Sequence, residues 1–179
     1  MVEKTRALIF TALLAALTAV LAQIIIPLPF TPVPLTLGTL GGYLATGLLT
    51  WRRAAMSQLV YILMGAVGLP VFAGLSGGFG IIIGPTGGYL MGYIISALIA
   101  GRILSQTNQK IHWHIIAMIT GTFFCYLLGT IWFMAVTKTE LIACLTSCVI
   151  PFLSGDAIKI VLASILSVKL KPLLRRKTV

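Results

Sequence analysis

The feature that most limits this chain is a run of about 20 residues without a charged side chain, from Ala7 to Ile26, followed by further apolar runs. As a helix such a run rises roughly 30 Å, the thickness of a bilayer's hydrocarbon core. Lys4 and Arg6 precede it and a Val20-x-Ala22 step lies inside it, as in a signal peptide. The apolar part of a signal peptide holds only about 7 to 15 residues, so a retained membrane span is expected. The composition agrees: 59% of the 179 residues are hydrophobic and 9% charged, against about 25% charged in soluble domains. Mean hydropathy is +1.08. The expected fold class is an all-α integral membrane protein.

Six spans are expected in one domain covering residues 1–179, at about 7–26, 35–50, 54–68, 86–104, 115–136 and 155–168. Pro27, Pro29, Pro32 and Pro34 stop the first helix and predict a stiff, extended loop over 27–34, since proline lacks an amide donor and restricts its predecessor. Residues 69–85 are apolar yet contain five glycines and two prolines, so no regular span fits them. Irregular backbone near membrane depth is tolerated where it lies in protein or lines a cavity. This glycine loop is therefore expected to fold over or into the bundle. No Lys-Ser/Thr follows it, which argues against a nucleotide site. Residues 137–154 form a third connection with an interfacial helix, and Ser154 can cap the last span. His112 and His114 flank Trp113 at the start of span 5 and suit interfacial anchoring better than a metal site.

The net charge of +10 comes from short clusters between apolar runs and not from a basic face, which excludes nucleic acid as a partner. Those clusters set the topology instead. With six spans and both termini cytoplasmic, the inner side receives Lys4, Arg6, Arg52, Arg53, Arg102, Lys110, Lys169, Lys171, Arg175, Arg176 and Lys177. The outer side receives Lys138 and Lys159, so the positive-inside bias is strong. Cys125, Cys144 and Cys148 have neither CxxC nor Cys/His spacing. They read as free thiols packed among helices, with no metal and no cofactor implied.

Asp156 is one of three acidic residues, and Lys159 follows it by three positions on the same helical face. Ionisable groups at a span's entrance mark a site with a named partner. With the glycine loop and the aromatic side chains of Phe72, Phe79, Tyr89 and Trp132, the pair would form an outward cavity for a small, largely apolar ligand bearing a carboxylate. Lys159 would hold the anion, and Asp156 would either orient Lys159 or accept hydrogen bonds from the ligand. The plainer reading leaves Lys159 snorkelling to the interface. Small residues Ala12, Ala15, Ala16 and Ala19 give span 1 a close-packing stripe, open to the protein's own helices or to a partner subunit. A membrane enzyme fits poorly, because three acidic residues and two inner-side histidines assemble no catalytic constellation.

On these residues the chain resembles the BioY family, the biotin-specific substrate-binding S components of energy-coupling factor (ECF) transporters. The resemblance is carried by Ile26-Pro-Leu-Pro-Phe-Thr-Pro-Val-Pro-Leu-Thr36, Gly68-Leu-Pro-Val-Phe-Ala-Gly74, Gly84-Pro-Thr-Gly-Gly-Tyr89, Gly129-Thr-Ile-Trp-Phe133 and Pro151-Phe-Leu-Ser-Gly-Asp-Ala-Ile-Lys159. It implies a multi-pass protein of the prokaryotic cell membrane that captures biotin from outside. It also implies docking through Ala12, Ala15, Ala16 and Ala19 onto a transmembrane coupling subunit driven by two cytoplasmic ATPases. Asp156 and Lys159 would contact the ligand, with the glycine loop and Thr86, Gly87 and Tyr89 closing the pocket. Ser154 stands where the family pattern has proline and Gly38 where glutamine is common. An S component for another carboxylate-bearing vitamin is the nearest alternative.

Overall fold

Close approach at small residues fixes where the helices meet. In a computed structural model, which describes residues 2–26 and 35–176, eight helices are present among the described residues. The proline loop at 27–34 lies outside them. Helices α5 (Gly87–Ser105) and α6 (Ile111–Thr137) form a long antiparallel pair. A Cβ on Gly88 would stand 2.2 Å from the Trp132 side chain, one on Gly92 2.6 Å from Cys125 Sγ, and one on Gly121 2.6 Å from Ser96 Oγ. Larger residues at this seam would push the two backbones apart, and in lipid that van der Waals contact is what holds helices together. The same device joins α1 (Val2–Ala22) to α2 (Gly38–Leu48) at Thr18 and Gly41. It joins α2 to α8 (Ile150–Arg176) at Gly47 and Ser167, and α3 (Trp51–Ala66) to α5 at Trp51 and Gly101.

Four helices, α1, α5, α6 and α8, are long and apolar enough to cross a membrane. Helix α2 has 11 residues and α3 has 16, rises of roughly 16 and 24 Å, and so each falls short of a bilayer core by itself. Helix α1 stops four residues before the expected end of span 1. Its chain turns into β1 (Ile25–Ile26), which pairs antiparallel with β2 (Leu35–Thr36) and so draws the two ends of the proline loop together.

The last span differs most from expectation. Helix α8 begins at Ile150, just past α7 (Leu141–Cys148), because Pro151 falls in the first turn, where no backbone donor is needed. Ser154 is therefore inside the helix and is not a cap, and Asp156 and Lys159 stand in its second and third turns. The helix also continues beyond Val168 to Arg176, through Pro172. His114 departs too: it is fully buried, beside Gly47 of α2, while His112 stays exposed. Cys125, Cys144 and Cys148 are buried free thiols.

Replacing Gly92 by Leu is expected to lower stability by about 1–3 kcal/mol through overpacking of the seam. Gly80→Ala, whose added Cβ meets nothing within 4 Å, should be near neutral. Thermal unfolding of both variants in detergent checks this, and equal melting temperatures would refute the seam's role.

Candidate ligand cavity

Asp156 and Lys159 form an ion pair at 2.8 Å, each 4% exposed. An ammonium in such a place needs all three of its N–H donors matched. Lys159 Nζ donates to Asp156 Oδ1, to the Thr36 carbonyl at 2.7 Å and to Thr39 Oγ1 at 2.9 Å. The carboxylate is matched as well. Thr39 Oγ1 donates to Asp156 Oδ1 at 3.1 Å and the Tyr126 hydroxyl donates to Oδ2 at 2.5 Å. One network thus ties α8 to β2, α2 and α6. Lys159 is not snorkelling: its burial and three interior acceptors overturn that reading.

The network forms one wall of a cavity of about 80 Å³ between α2, α5, α6 and α8, whose lining is otherwise largely apolar and aromatic. Tyr43 lines it too and bonds Thr122 Oγ1 at 2.6 Å. Because Thr122 donates to the Met118 carbonyl, the Tyr43 hydroxyl is the donor in that bond and keeps an acceptor site. A second cavity of about 290 Å³ lies alongside, lined by Tyr61, Phe72 and Thr86 among others. Thr36, Tyr89 and Tyr93 line both, so these side chains are the partition between them.

The glycine loop roofs the second cavity. Phe72 pairs with Ser76 across a tight turn in which Gly74 and Leu75 take positive φ of 72° and 53°. The Phe72 ring lies against Gly65 and edge-on to Tyr61 at 5.6 Å. Gln23, one residue past α1, clamps this turn. Its Nε2 shares its two N–H groups among the carbonyls of Ala19, Val71 and Phe72, each at 3.1 Å, and its Oε1 accepts from Leu75 N at 2.8 Å.

The expected site residues divide accordingly. Asp156, Lys159 and Tyr89 reach the first cavity, and Phe72, Thr86 and Tyr89 the second. Gly87 sits behind them, pressed against the Ile82 carbonyl where no Cβ would fit. Trp132 is held outside both linings, donating from Nε1 to the Gly84 carbonyl at 2.9 Å, and so anchors the end of the glycine loop. Phe79, on the short helix α4 (Phe79–Ile83), points outward at 63% exposure. Its expected place at the cavity is corrected by that exposure. The alanine stripe divides too: Ala15 is fully buried and Ala19 packs on the same core, whereas Ala12 and Ala16 are exposed. Ala12 and Ala16 are open to a partner, Ala19 is half-buried, and Ala15 is closed to one. Thr36, Thr39, Tyr43, Tyr93 and Gln23 escaped the sequence reading, since each is an ordinary residue in its own helix or loop. Among the described residues, no three His, Cys, Asp or Glu side chains gather to hold a metal.

Removing one partner of a buried pair typically costs about 3–5 kcal/mol. Lys159→Met should therefore destabilise the detergent-solubilised protein by about that much, and adding Asp156→Asn should recover a good part of the loss. Equal melting temperatures for the single and double variants would show that the pair is not coupled.

A family model described as the BioY family matches residues 1–176. "Biotin transporter BioY" of Thermotoga maritima is 34% identical over 168 residues, covering 94% of this chain and 97% of the relative. "Probable biotin transporter BioY" of Pyrococcus horikoshii is 35% identical, covering 94% of this chain and 98% of that one. Among solved structures, a 2.1 Å crystal structure of the S-component for biotin from an ECF-type ABC transporter superposes with a TM-score of 0.87 at 28% identity. It covers 95% of this chain and 93% of that one. The length of these matches, together with helices suited to a membrane and a buried ion pair beside a tyrosine-lined cavity, places this chain in the BioY family.

Proposed function

We propose that this protein captures biotin at the outer face of a prokaryotic cell membrane and delivers it inward as the S component of an ECF transporter. It is a transporter subunit and not an enzyme, and ATP hydrolysis belongs to its partners. Six spans suit this role, with α2 and α3 as shorter spans beside the four long helices, in a single domain with both termini cytoplasmic. The charge clusters support that orientation, and the outer loops are then 27–34, 69–85 and 137–154. The exposed face of α1 at Ala12 and Ala16 offers the coupling subunit a close-packing surface.

The observation that carries the reading is the Asp156–Lys159 network on the wall of an otherwise aromatic cavity, in a chain of this family. Biotin carries a carboxylate and a ureido ring with N–H donors. Among the described residues, Lys159 is the one cation lining the two cavities. A ligand carboxylate would take over one of its three bonds from Thr36 or Thr39, while Asp156 and Tyr43 retain acceptor sites for donors on the ligand. The first cavity alone is small for such a ligand, for which sites of about 300 Å³ or more are usual. The neighbouring space past Tyr89 and Tyr93, under Phe72 and Thr86, supplies the remainder. Gln23 would set how long the ligand stays, because it holds the turn that covers this space.

Titration of the detergent-solubilised protein with biotin, followed by tryptophan fluorescence or heat, tests the assignment. Saturable binding is expected, and Lys159→Ala should weaken it roughly 10- to 100-fold, the range for a charged hydrogen bond. A folded sample that does not bind biotin would refute the substrate. Gln23→Leu should leave the association rate nearly unchanged and speed release of labelled biotin; an unaltered off-rate would remove the clamp from the mechanism.

A further inference from the structure

A further cavity lies far from the proposed biotin site and shares no lining residue with either ligand cavity. It occupies about 600 Å³ among α1, the α2–α3 turn, α5 and α8. On α1, Arg6 at this cavity is sixteen residues before Ala22 at the second ligand cavity, roughly 24 Å along the helix. On α8, Lys171 is twelve residues past Lys159, roughly 18 Å. The cavity thus sits at the opposite end of the bundle.

Its chemistry has two sides. Among the described residues, Arg6, Arg53 and Lys171 line it against a single carboxylate, Glu3. Arg52 and Arg102 stack on the Trp51 ring at 4.8 and 5.5 Å from its centroid and add to the positive potential beside it. A stacked guanidinium still presents its N–H groups edge-on, the geometry that matches phosphate oxygens. The other side of the lining is apolar, with Phe10, Leu48, Leu49 and Leu104. A phosphate ion would use only the first side. A phosphodiester carrying acyl chains uses both, and at the ends of α1, α5 and α8 it lies at the depth where lipid headgroups are found.

We propose that this cavity is a binding site for the phosphate headgroup of an anionic phospholipid, with Arg6 and Arg53 as its main ligands and Trp51 and the leucines seating the glycerol and upper chain. Lys171 contributes charge from the wall while its Nζ donates to the Gly47 carbonyl at 2.9 Å. Occupancy would tie α1, α3 and α8 together at one end of the bundle, leaving the biotin cavity untouched.

The test uses the full chain, delipidated in detergent, with phosphatidylglycerol, phosphatidylcholine or inorganic phosphate added, and reads bound lipid by native mass spectrometry and stability by thermal unfolding. Phosphatidylglycerol is expected to bind at about tenfold lower concentration than phosphatidylcholine, given about a fivefold gain per basic residue near a headgroup offset by Glu3. Arg6→Gln with Arg53→Gln should erase that preference, in a sample still monodisperse and helical by circular dichroism. Equal binding of the two lipids, or a preference that survives the double variant, would overturn the proposal. Inorganic phosphate protecting as well as phosphatidylglycerol would overturn the lipid assignment in favour of a soluble phosphate compound.

Discussion

A lysine ammonium buried in apolar surroundings must have every donor satisfied, and the middle of this protein is arranged around that requirement. Lys159 meets it with one carboxylate, one hydroxyl and one backbone carbonyl drawn from three different elements. Asp156 in turn is neutralised and also bonded by Tyr126. The consequence is positional: β2, α2, α6 and α8 cannot shift against one another without leaving a charge unmatched. The cavity wall is thereby held in one geometry before any ligand arrives.

Around this fixed point the remaining architecture uses size more than polarity. The α5–α6 seam alternates glycine on one helix with a larger side chain on the other, so Tyr89 and Trp132 are positioned by the glycines opposite them. Tyr89 then separates the two cavities, and Trp132 pins the end of the glycine loop at Gly84. At the other end of that loop, Gln23 supplies polar bonds to backbone that has no ladder of its own. Irregular backbone in an apolar setting is stable only when such partners are provided. Gln23 directly follows the helix whose Ala12 and Ala16 face outward, so one stretch of chain contacts both the turn over the second cavity and the protein's surroundings.

Much of this was legible in the residues. Charge confined to clusters announced membrane helices, and the Asp-x-x-Lys spacing placed two ionisable groups on one helical face. The glycine loop's conflict with any regular span marked it as irregular backbone that folds over the bundle, where it lines a cavity. Other features were not legible, for physical reasons. The start of α8 was missed because Ser154 has the chemistry of a cap, yet Pro151 can open a helix equally well and packing chose the earlier start. Phe79 looked like a cavity aromatic because composition carries no direction. All four alanines fit a docking stripe, although only a helix's rotation decides that Ala15 faces the core and Ala12 does not.

The sequence by itself determined the medium, the helical class, the polar pair and the family, because these follow from local periodicity, charge placement and motifs contiguous in the chain. Tertiary structure alone decided who completes the pair. Thr36 and Thr39 lie more than a hundred residues before Lys159, and nothing local to either threonine signals a bond to an ammonium. It also decided that the basic clusters near residues 6, 53 and 171 share one cavity. Both outcomes depend on how helices rotate and approach, which small residues permit but only the assembled bundle selects.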